Sequence, residues 1–364
     1  MPSPQRITVS CHCGAARQDV QTSALDVSLC HCSTCRHTTG LLCTSYLSLP
    51  CSNMSLYFCA VCGCHTFRSQ FNTSIPGSYA DLAGLDWQVA TGVITDSSDD
   101  GFSLGLGGHL RVEETQDGGL ANWISTEARH GDQDSTPISS PNHDLLPASC
   151  QCGNVNFFVT RPNADSALPH SGFSDLIIPF HTGSPDIPNP NDVKWWLREN
   201  NKYLAGTCAC QSCRLVSGFE IQTWAFVPRC NIFFRTKTDS SVGDQAESSG
   251  RGQPAVIPLD FNQLLDGVLQ SYESSEGVLR EFCPGCGATI FWHDKWRPDL
   301  IDVSVGLLRA PEGARADTWL EWCAHRVSFD EDAETGRSGW AKTWARGLID
   351  RLASGVKEAH TPQV

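Results

Sequence analysis

The chain has 364 residues, of which 40% are hydrophobic and 18% charged, a composition typical of globular domains and long enough for two of them. Its formal net charge is −14, and no cluster of Lys or Arg interrupts the acidic balance. Because phosphate binding requires a basic surface, this charge excludes nucleic acids as expected partners.

The opening segment, MPSPQRITVSCHCG, lacks the apolar stretch of a secretory signal, and no segment is apolar enough to predict a membrane span. We therefore expect a cytoplasmic protein in a reducing compartment. In that setting, 19 cysteines that cluster along the chain indicate metal binding rather than a disulfide framework. The sequence indicates no particular oligomeric state.

Three short cysteine motifs each occur twice, in the same order. The first set is CHCG at 11–14, CHCSTCR at 30–36 and FCAVCG at 58–63. The second set is CQCG at 150–153, CACQSCR at 208–214 and FCPGCG at 282–287. This repetition predicts a tandem duplication of one unit.

The repeat divides the chain into two predicted domains, a first half (1–129) and a second half (147–330). A Pro-, Ser- and Asp-rich linker over 130–146 joins them. The second half carries an added segment, 161–200, whose prolines and aromatic residues are typical of a loop or lid over a binding site. The alternative is a surface elaboration that packs against the first half.

The first half is the shorter one between its second and third motifs. Cys59 follows Cys35 by 24 positions, whereas Cys283 follows Cys213 by 70. The first half therefore lacks part of a sheet and one wall of a cleft. For that reason we expect the second half to be the active unit.

Local patterns outside the motifs are mostly those of β-strands. NVNFFVT, QTWAFVP, CNIFFRT, ATIFWH and LIDVSVGLL are short β-branched and aromatic runs bounded by turn residues. In the tail, 331–364, apolar residues recur every fourth position from Trp340 to Leu352, which predicts a helix capped by Ser338. We predict a mainly β fold with a C-terminal helix.

The first and third motifs of each half supply two close cysteine pairs, as a closed tetrahedral zinc site requires. The predicted structural sites are Cys11, Cys13, Cys59 and Cys62 in the first half, and Cys150, Cys152, Cys283 and Cys286 in the second. The alternative is a disulfide or a redox-active CxxC pair beside unrelated thiols. Two occurrences of the same combination favour zinc.

The middle motif gives three thiolates from one short loop and leaves no patterned cysteine as a fourth ligand. The two groups are Cys30, Cys32 and Cys35, and Cys208, Cys210 and Cys213. Three protein ligands and a vacant position are typical of catalytic zinc. The predicted catalytic centre is the group at Cys208, Cys210 and Cys213.

An inert alternative has a further side chain in the fourth position. In the first half the candidates are His12, His31, His37 and His65 or a spare cysteine. The spare cysteines, which we interpret as small buried residues, are Cys43, Cys51, Cys64, Cys230 and Cys323. Of these, Cys64 is the nearest in sequence to a motif.

The motif order resembles the glutathione-dependent formaldehyde-activating enzymes, a family that includes centromere protein V. The resemblance rests on CxCG, CxCxxCR followed by TG or SG, and FCxxCG, matched twice over most of 8–94 and 147–327. It continues in the second half through WAFVP, SYESSEGVLREFCPGCG and VSVGLL. It implies two Mss4-like (β-tent) zinc domains, with the four-cysteine sites structural and the three-cysteine site catalytic.

The resemblance also implies a carbon–sulfur lyase reaction in which glutathione, as cosubstrate, adds reversibly to formaldehyde. The expected partners are therefore a small-molecule thiol and an aldehyde, or their adduct. Glu220 and His293 adjoin the zinc motifs of the second half and are candidate general bases. Arg214, the counterpart of Arg36, is a candidate to balance thiolate charge or to anchor a substrate carboxylate.

Two other functions remain open from the sequence. A duplicated member of such a family can catalyse elimination, isomerisation or dehydration of a larger small molecule in a specialised pathway. A non-catalytic scaffold would instead have every zinc closed by four protein ligands. The coordination of the two three-cysteine groups discriminates between enzyme and scaffold.

Overall fold

The structure, a computed structural model, describes residues 4–49, 58–71, 85–98, 101–125, 144–235 and 256–360. Within these ranges the chain is mainly β and ends in one long helix, which confirms the predicted fold class at that level. No helix in these ranges is long and apolar enough to cross a membrane.

The strands of the first half are β1 (Gln5–Val9), β2 (Gln18–Thr22), β3 (Asp26–Cys30), β4 (Thr44–Leu49), β5 (Phe67–Phe71), β6 (Leu85–Ala90), β7 (Ile94–Ser97) and β8 (Gly105–Leu110). Those that follow are β9 (Leu145–Ser149), β10 (Asn156–Thr160), β11 (Leu197–Arg198), β12 (Lys202–Cys208), β13 (Gln222–Pro228), β14 (Ile232–Arg235), β15 (Val256–Pro258), β16 (Gln270–Ser275), β17 (Val278–Phe282), β18 (Thr289–Asp294), β19 (Leu300–Ser304) and β20 (Leu320–Trp322). The helices are α1 (Ser33–Thr39), α2 (Gln211–Ser217) and α3 (Trp340–Ala359).

The strands form a small and a large sheet in each half. The first half has β2-β1-β7 and β5-β6-β4-β3-β8. The second half has β15-β14-β10-β9 and the long sheet β11-β12-β13-β19-β18-β17-β16, with β20 beside β12. The five strand-like runs identified in the sequence each contain one of these strands.

The two halves contact each other reciprocally, through equivalent positions. The amide of Gly92 donates to the carbonyl of Gly218 at 3.0 Å, and that of Gly306 donates to Gly40 at 3.2 Å. Gly40 and Gly218 end α1 and α2 in the left-handed conformation, with φ of 83° and 85°. Each glycine therefore supplies the left-handed end that its own helix requires and also contacts the other half.

One buried core crosses the boundary between the halves. It contains Leu29 and Val89 from the first half, Ala225 and Val303 from the second, and Leu348 from α3. Because these side chains exclude water together, the halves and the tail stabilise one another. The chain is thus not two separate cores joined by a flexible connection.

The C-terminal helix lies where the sequence predicts it, but Ser338 does not cap it. The N-cap residue is Gly339, which has no side chain to cap the helix, and not Ser338. Instead the hydroxyl of Ser97 accepts the amide hydrogen of Ala341 at 2.9 Å. The cap comes from the first half because Ser338 is turned away, with its hydroxyl bonded to Asp96.

Most of the predicted linker lies outside the described residues. The part that is described begins at residue 144, and strand β9 already includes Leu145 and Leu146. The added segment 161–200 is largely irregular, yet it buries Leu176, Trp195 and Trp196 against the large sheet of the second half.

The reciprocal contact predicts strong intolerance to side chains at its two glycines. A Cβ at Gly40 would lie 2.2 Å from the carbonyl oxygen of Thr289, and one at Gly218 would lie 2.2 Å from that of His65. Gly40→Ala and Gly218→Ala should each lower the free energy of unfolding by about 2–5 kcal/mol, through overpacking and left-handed strain.

Gly267→Ala is the matched control, because Gly267 has φ of +79° but nothing within 4 Å of a Cβ. It should cost only the strain, about 1–2 kcal/mol. Denaturant unfolding of the metal-loaded protein measures all three variants. Equal losses at Gly40 and Gly267 would show that the contact between the halves adds nothing.

Candidate metal centres

The structure brings together the two predicted four-cysteine groups. Cys11, Cys13, Cys59 and Cys62 form one group, and Cys150, Cys152, Cys283 and Cys286 form the other. Within each group the Sγ atoms all lie within 4.8 Å of one another. Either group could hold a metal ion.

The sulfur spacing fits tetrahedral zinc. Cys13 Sγ lies 3.5 Å from both Cys11 Sγ and Cys59 Sγ. In the second group, Cys150 Sγ lies 3.5 Å from Cys152 Sγ and 3.7 Å from Cys283 Sγ. A Zn–S bond of about 2.3 Å in a tetrahedron places its sulfurs about 3.8 Å apart.

Each group of three cysteines sits where a strand passes into a short helix. β3 ends at Cys30, and Cys32 is the N-cap of α1, with its sulfur accepting the amide hydrogen of Cys35 at 3.3 Å. The second half repeats this arrangement, with Cys208 ending β12 and Cys210 capping α2 at the same distance. The cap orients the middle sulfur toward the other two.

No fourth ligand completes either group of three among the residues that the structure describes. The histidines considered for this role are engaged elsewhere. His12 Nδ1 lies 2.7 Å from the Tyr272 hydroxyl, and His31 Nε2 lies 2.9 Å from His109 Nδ1. His37 Nδ1 donates to the carbonyl of Ser33 at 2.7 Å, and the side chain of His65 is not brought into either group of three.

The spare cysteines differ in burial. Cys43 and Cys64 are buried, as expected for small apolar side chains, and Cys64 is not a member of the adjoining four-cysteine group. Cys323 is half-buried and Cys230 is exposed, so the expectation of burial is wrong for Cys230. It lies in the turn between β13 and β14, where its thiol contacts Asn231. Cys51 lies outside the described residues.

A cavity of about 500 Å³ opens onto Cys208, Cys210 and Cys213. Most of its wall is apolar, and the added segment 161–200 contributes a large part of that wall, from Ser171 to Trp195. The added segment therefore lies against the site of the second half. A small molecule in this cavity would contact the three sulfur atoms directly.

Arg280, on β17, is the cation beside the three cysteines of the second half. Its Nη1 donates to Cys213 Sγ at 3.5 Å and its Nη2 donates to Ser212 Oγ at 2.9 Å. Hydrogen bonds from Cys208 and Cys210, together with this guanidinium, hold the pKa of Cys213 well below its usual range. Burial lowers the pKa of Arg280 itself, but the charge of Cys213 and Cys210 outweighs burial and raises it.

Arg68, on β5, has the same role in the first half. Its Nη1 donates to Cys35 Sγ at 3.5 Å, its Nε donates to Gln88 at 2.6 Å, and it stacks on the ring of Tyr46 at 3.9 Å. Arg280 precedes its nearest motif, FCPGCG, whereas Arg68 follows FCAVCG. With no common spacing from the cysteines, neither arginine could be found from the motifs.

Arg214 does not contact the sulfur atoms. Its Nη1 donates to the carbonyl of Gly92 at 2.6 Å and its Nη2 donates to that of Thr335 at 2.9 Å. Burial, and then the neighbouring charge of Arg337, lowers its pKa to about 9. Arg214 joins the second half to the first half and to the tail, and it is not part of the cavity wall.

Glu220 lies in the same buried junction. Its carboxylate accepts hydrogen bonds from Arg337 at 2.8 Å, Thr91 at 2.7 Å and Trp344 at 3.2 Å. These partners come from the tail and the first half. Glu220 is not among the residues that line the cavity, so the structure does not support it as the general base.

His293 is on the far face of its strand. Its Nε2 lies 3.0 Å from Glu281, and its ring stacks on Phe261 with centroids 4.0 Å apart. The preceding residue, Trp292, lines the cavity, and successive strand side chains point to opposite faces. His293 is therefore not placed to act as a base there either.

Asp302 is a buried acidic group in the cavity wall, and no sequence motif indicates it. Burial raises its pKa to about 6, although Arg297 partly opposes the shift. Arg297 Nη2 donates to its carboxylate at 2.7 Å. The wall thus contains an internal ion pair in addition to the three cysteines.

No protein-family model, curated protein or solved structure matches this chain. The resemblance drawn from the cysteine motifs, and the Mss4-like fold and duplication it implies, therefore stay predictions.

The four-cysteine group of the first half predicts that two nearby buried cysteines differ in their effect on the metal content. Cys59→Ser removes a member of the group and should lower the metal content by one ion per chain, because three ligands hold a structural ion weakly. Cys64→Ser is the matched control and should retain the full metal content. Elemental analysis after mild chelation measures both. Equal metal loss from the two variants would contradict the assignment.

The junction around Glu220 predicts a stability defect on neutralisation. Glu220→Gln leaves the buried Arg337 without its counter-charge and should cost about 3–5 kcal/mol of unfolding free energy. Glu331→Gln, which removes a partly exposed partner of Arg326, should cost about 1 kcal/mol or less. Denaturant unfolding compares them. A Glu220→Gln protein of unchanged stability would reopen its assignment as a base.

Proposed function

We propose that the protein is a zinc enzyme of the carbon–sulfur lyase type, with Cys208, Cys210 and Cys213 holding the catalytic ion. The observation that carries the proposal is the position of this group. It has three sulfur ligands, no fourth ligand among the described residues, and a cavity that reaches it. A structural site has no need of such an opening.

The proposed reaction is the reversible addition of a thiol to an aldehyde. A carbon–sulfur bond forms, and the thiol proton ends on the carbonyl oxygen. Zinc held by three thiolates would supply a position for a soft thiolate ligand or for carbonyl polarisation. Glutathione is the thiol that the motif resemblance implies, and its use here is part of the proposal.

The chain's own contribution is orientation and charge balance. Cys210 is fixed as the cap of α2, and Arg280 is fixed by Ser212 and Ser274, the latter at 3.1 Å. Arg280 offsets the negative charge that three thiolates bring into a buried site. Since Arg68 is placed in the same way in the first half, it is the cavity at Cys208, Cys210 and Cys213 that favours the second half as the active one.

The two four-cysteine groups would hold structural zinc in this proposal. Each joins the beginning of a half to its third motif, and none of their cysteines lines the cavity. Their role is to keep the sheets that carry the cavity in register. The first half then serves as the packing partner of the active half.

Cobalt substitution tests the open position directly. In the Co²⁺ protein, glutathione should change the sulfur-to-cobalt charge-transfer bands, because it can enter the coordination sphere only at an open site. The response should persist in Cys32→Ser, which removes the other group of three, and should disappear when Cys210→Ser is added to that variant. Cobalt bound in the second group with no response to any small thiol would contradict the proposal.

Turnover is measured separately, by exchange NMR with ¹³C-formaldehyde and glutathione. The exchange rate between free and thiol-bound carbon should exceed the uncatalysed rate with wild type and Cys32→Ser, and fall to it with Cys210→Ser. Loss of rate in both variants alike would contradict the assignment of the second half as the active unit.

A further inference from the structure

The cavity at Cys208, Cys210 and Cys213 is far larger than a small aldehyde requires. Its volume of about 500 Å³ lies in the range of sites that bury most of a drug-sized ligand. A two-heavy-atom carbonyl compound would leave nearly all of it filled with water. The volume of the cavity therefore indicates a larger substrate.

Six aromatic side chains make up much of the cavity wall. Trp224, Trp292 and Phe329 belong to the apolar cluster that includes Cys208 and Cys213. Phe173, Trp195 and Phe226 belong to the cluster of the added segment, where Trp195 and Phe226 meet edge to face at 4.9 Å. All six line the cavity. Aromatic rings in such a wall favour stacking or edge contacts with a flat ring system.

The aromatic wall is held in place before any ligand arrives. Asp175 accepts the amide hydrogens of Phe180 at 2.8 Å and of Phe329 at 2.7 Å, which joins the added segment to the chain near α2. Phe329 has φ of 53°, a left-handed conformation that is uncommon for a bulky residue. Trp195 donates its indole hydrogen to the carbonyl of Gly172 at 2.9 Å. A wall fixed in this way binds with little ordering cost.

The arginine side chains in the cavity wall are already bonded to other residues of the wall. Arg280 is engaged by Ser212, Ser274 and Cys213, and Arg297 is paired with Asp302 at 2.7 Å and with Asp294 at 3.5 Å. Among the residues that the structure describes, no other Lys or Arg lines the cavity. A substrate that buries an anionic group within this wall would find no free cation there and would face carboxylates instead.

We propose that the cavity takes an uncharged, planar aromatic compound bearing a carbonyl group, with its rings against the aromatic side chains of the wall and its carbonyl toward the three cysteines. The placement of the carbonyl rests on the proposed function; the aromatic subsite does not. A thiol cosubstrate then meets this compound at the sulfur end of the cavity.

Calorimetric titration of the zinc-loaded full chain tests the inference with three ketones. The probes are 2-acetonaphthone, its anionic derivative 6-acetyl-2-naphthoate, and the non-planar cyclohexyl methyl ketone. The neutral naphthyl ketone should bind at least about tenfold more tightly than either of the other two, and more tightly than glutathione alone. These comparisons use wild-type protein and need no variant to fold.

Two variants of the added segment locate the binding. Phe173→Ala should weaken 2-acetonaphthone binding about five- to tenfold, by removing one stacking surface. Val193→Ala, a substitution in the same segment at an exposed residue outside the cavity wall, should leave binding unchanged. A thermal melt of each variant confirms folding.

Equal affinity for the neutral and anionic ketones, or tighter binding of the non-planar one, would overturn the inference. Equal effects of the two variants would do so as well. Because the cobalt response to thiols is measured independently, a failure of the aromatic subsite is distinguishable from a failure of the zinc site. Ketone selectivity without a thiol response would leave the subsite standing and remove the proposed chemistry.

Discussion

The structure depends on two groups of four cysteines, each of which brings four sulfur atoms close together. Cys11 and Cys13 meet Cys59 and Cys62, while Cys150 and Cys152 meet Cys283 and Cys286 across more than half of the second half. Thiolates so close repel one another unless a cation neutralises them. A structural zinc ion contributes about 10–16 kcal/mol in small peptides, enough to close a long loop. Strands β12, β13, β16 and β17 of the cavity wall lie between the ends that the second group joins.

The second constraint is the reciprocal contact between the halves. Gly40 and Gly218 bring α1 and α2 against the backbone of the opposite half, at distances that exclude any side chain. The buried Glu220 and Arg337 add a polar junction between both halves and α3. The first half thus supports the segment that follows Cys213. This arrangement gives the shorter half a structural reason to persist whether or not its own three cysteines are active.

The sequence predicted the parts of the site that depend on local spacing. Cysteines two or three positions apart carry their own geometry, so the four groups followed from the motifs, and the β-rich pattern and terminal helix followed from hydrophobic periodicity. The contacts of Arg280 and Arg68 with the sulfurs depend on strand pairing instead, which no motif spacing encodes. Glu220 and His293 show the converse, since proximity in sequence to Cys213 or Cys286 does not place a side chain on the cavity face.

The most direct measurement of the central claim is the coordination of the ion at Cys208, Cys210 and Cys213, from a crystal structure with zinc-edge anomalous data. Our account predicts zinc bound by these three sulfurs, with a fourth position taken by solvent or a small ligand that faces the aromatic cavity. A fourth ligand from the polypeptide, or no metal there in reduced, zinc-replete protein, would contradict it.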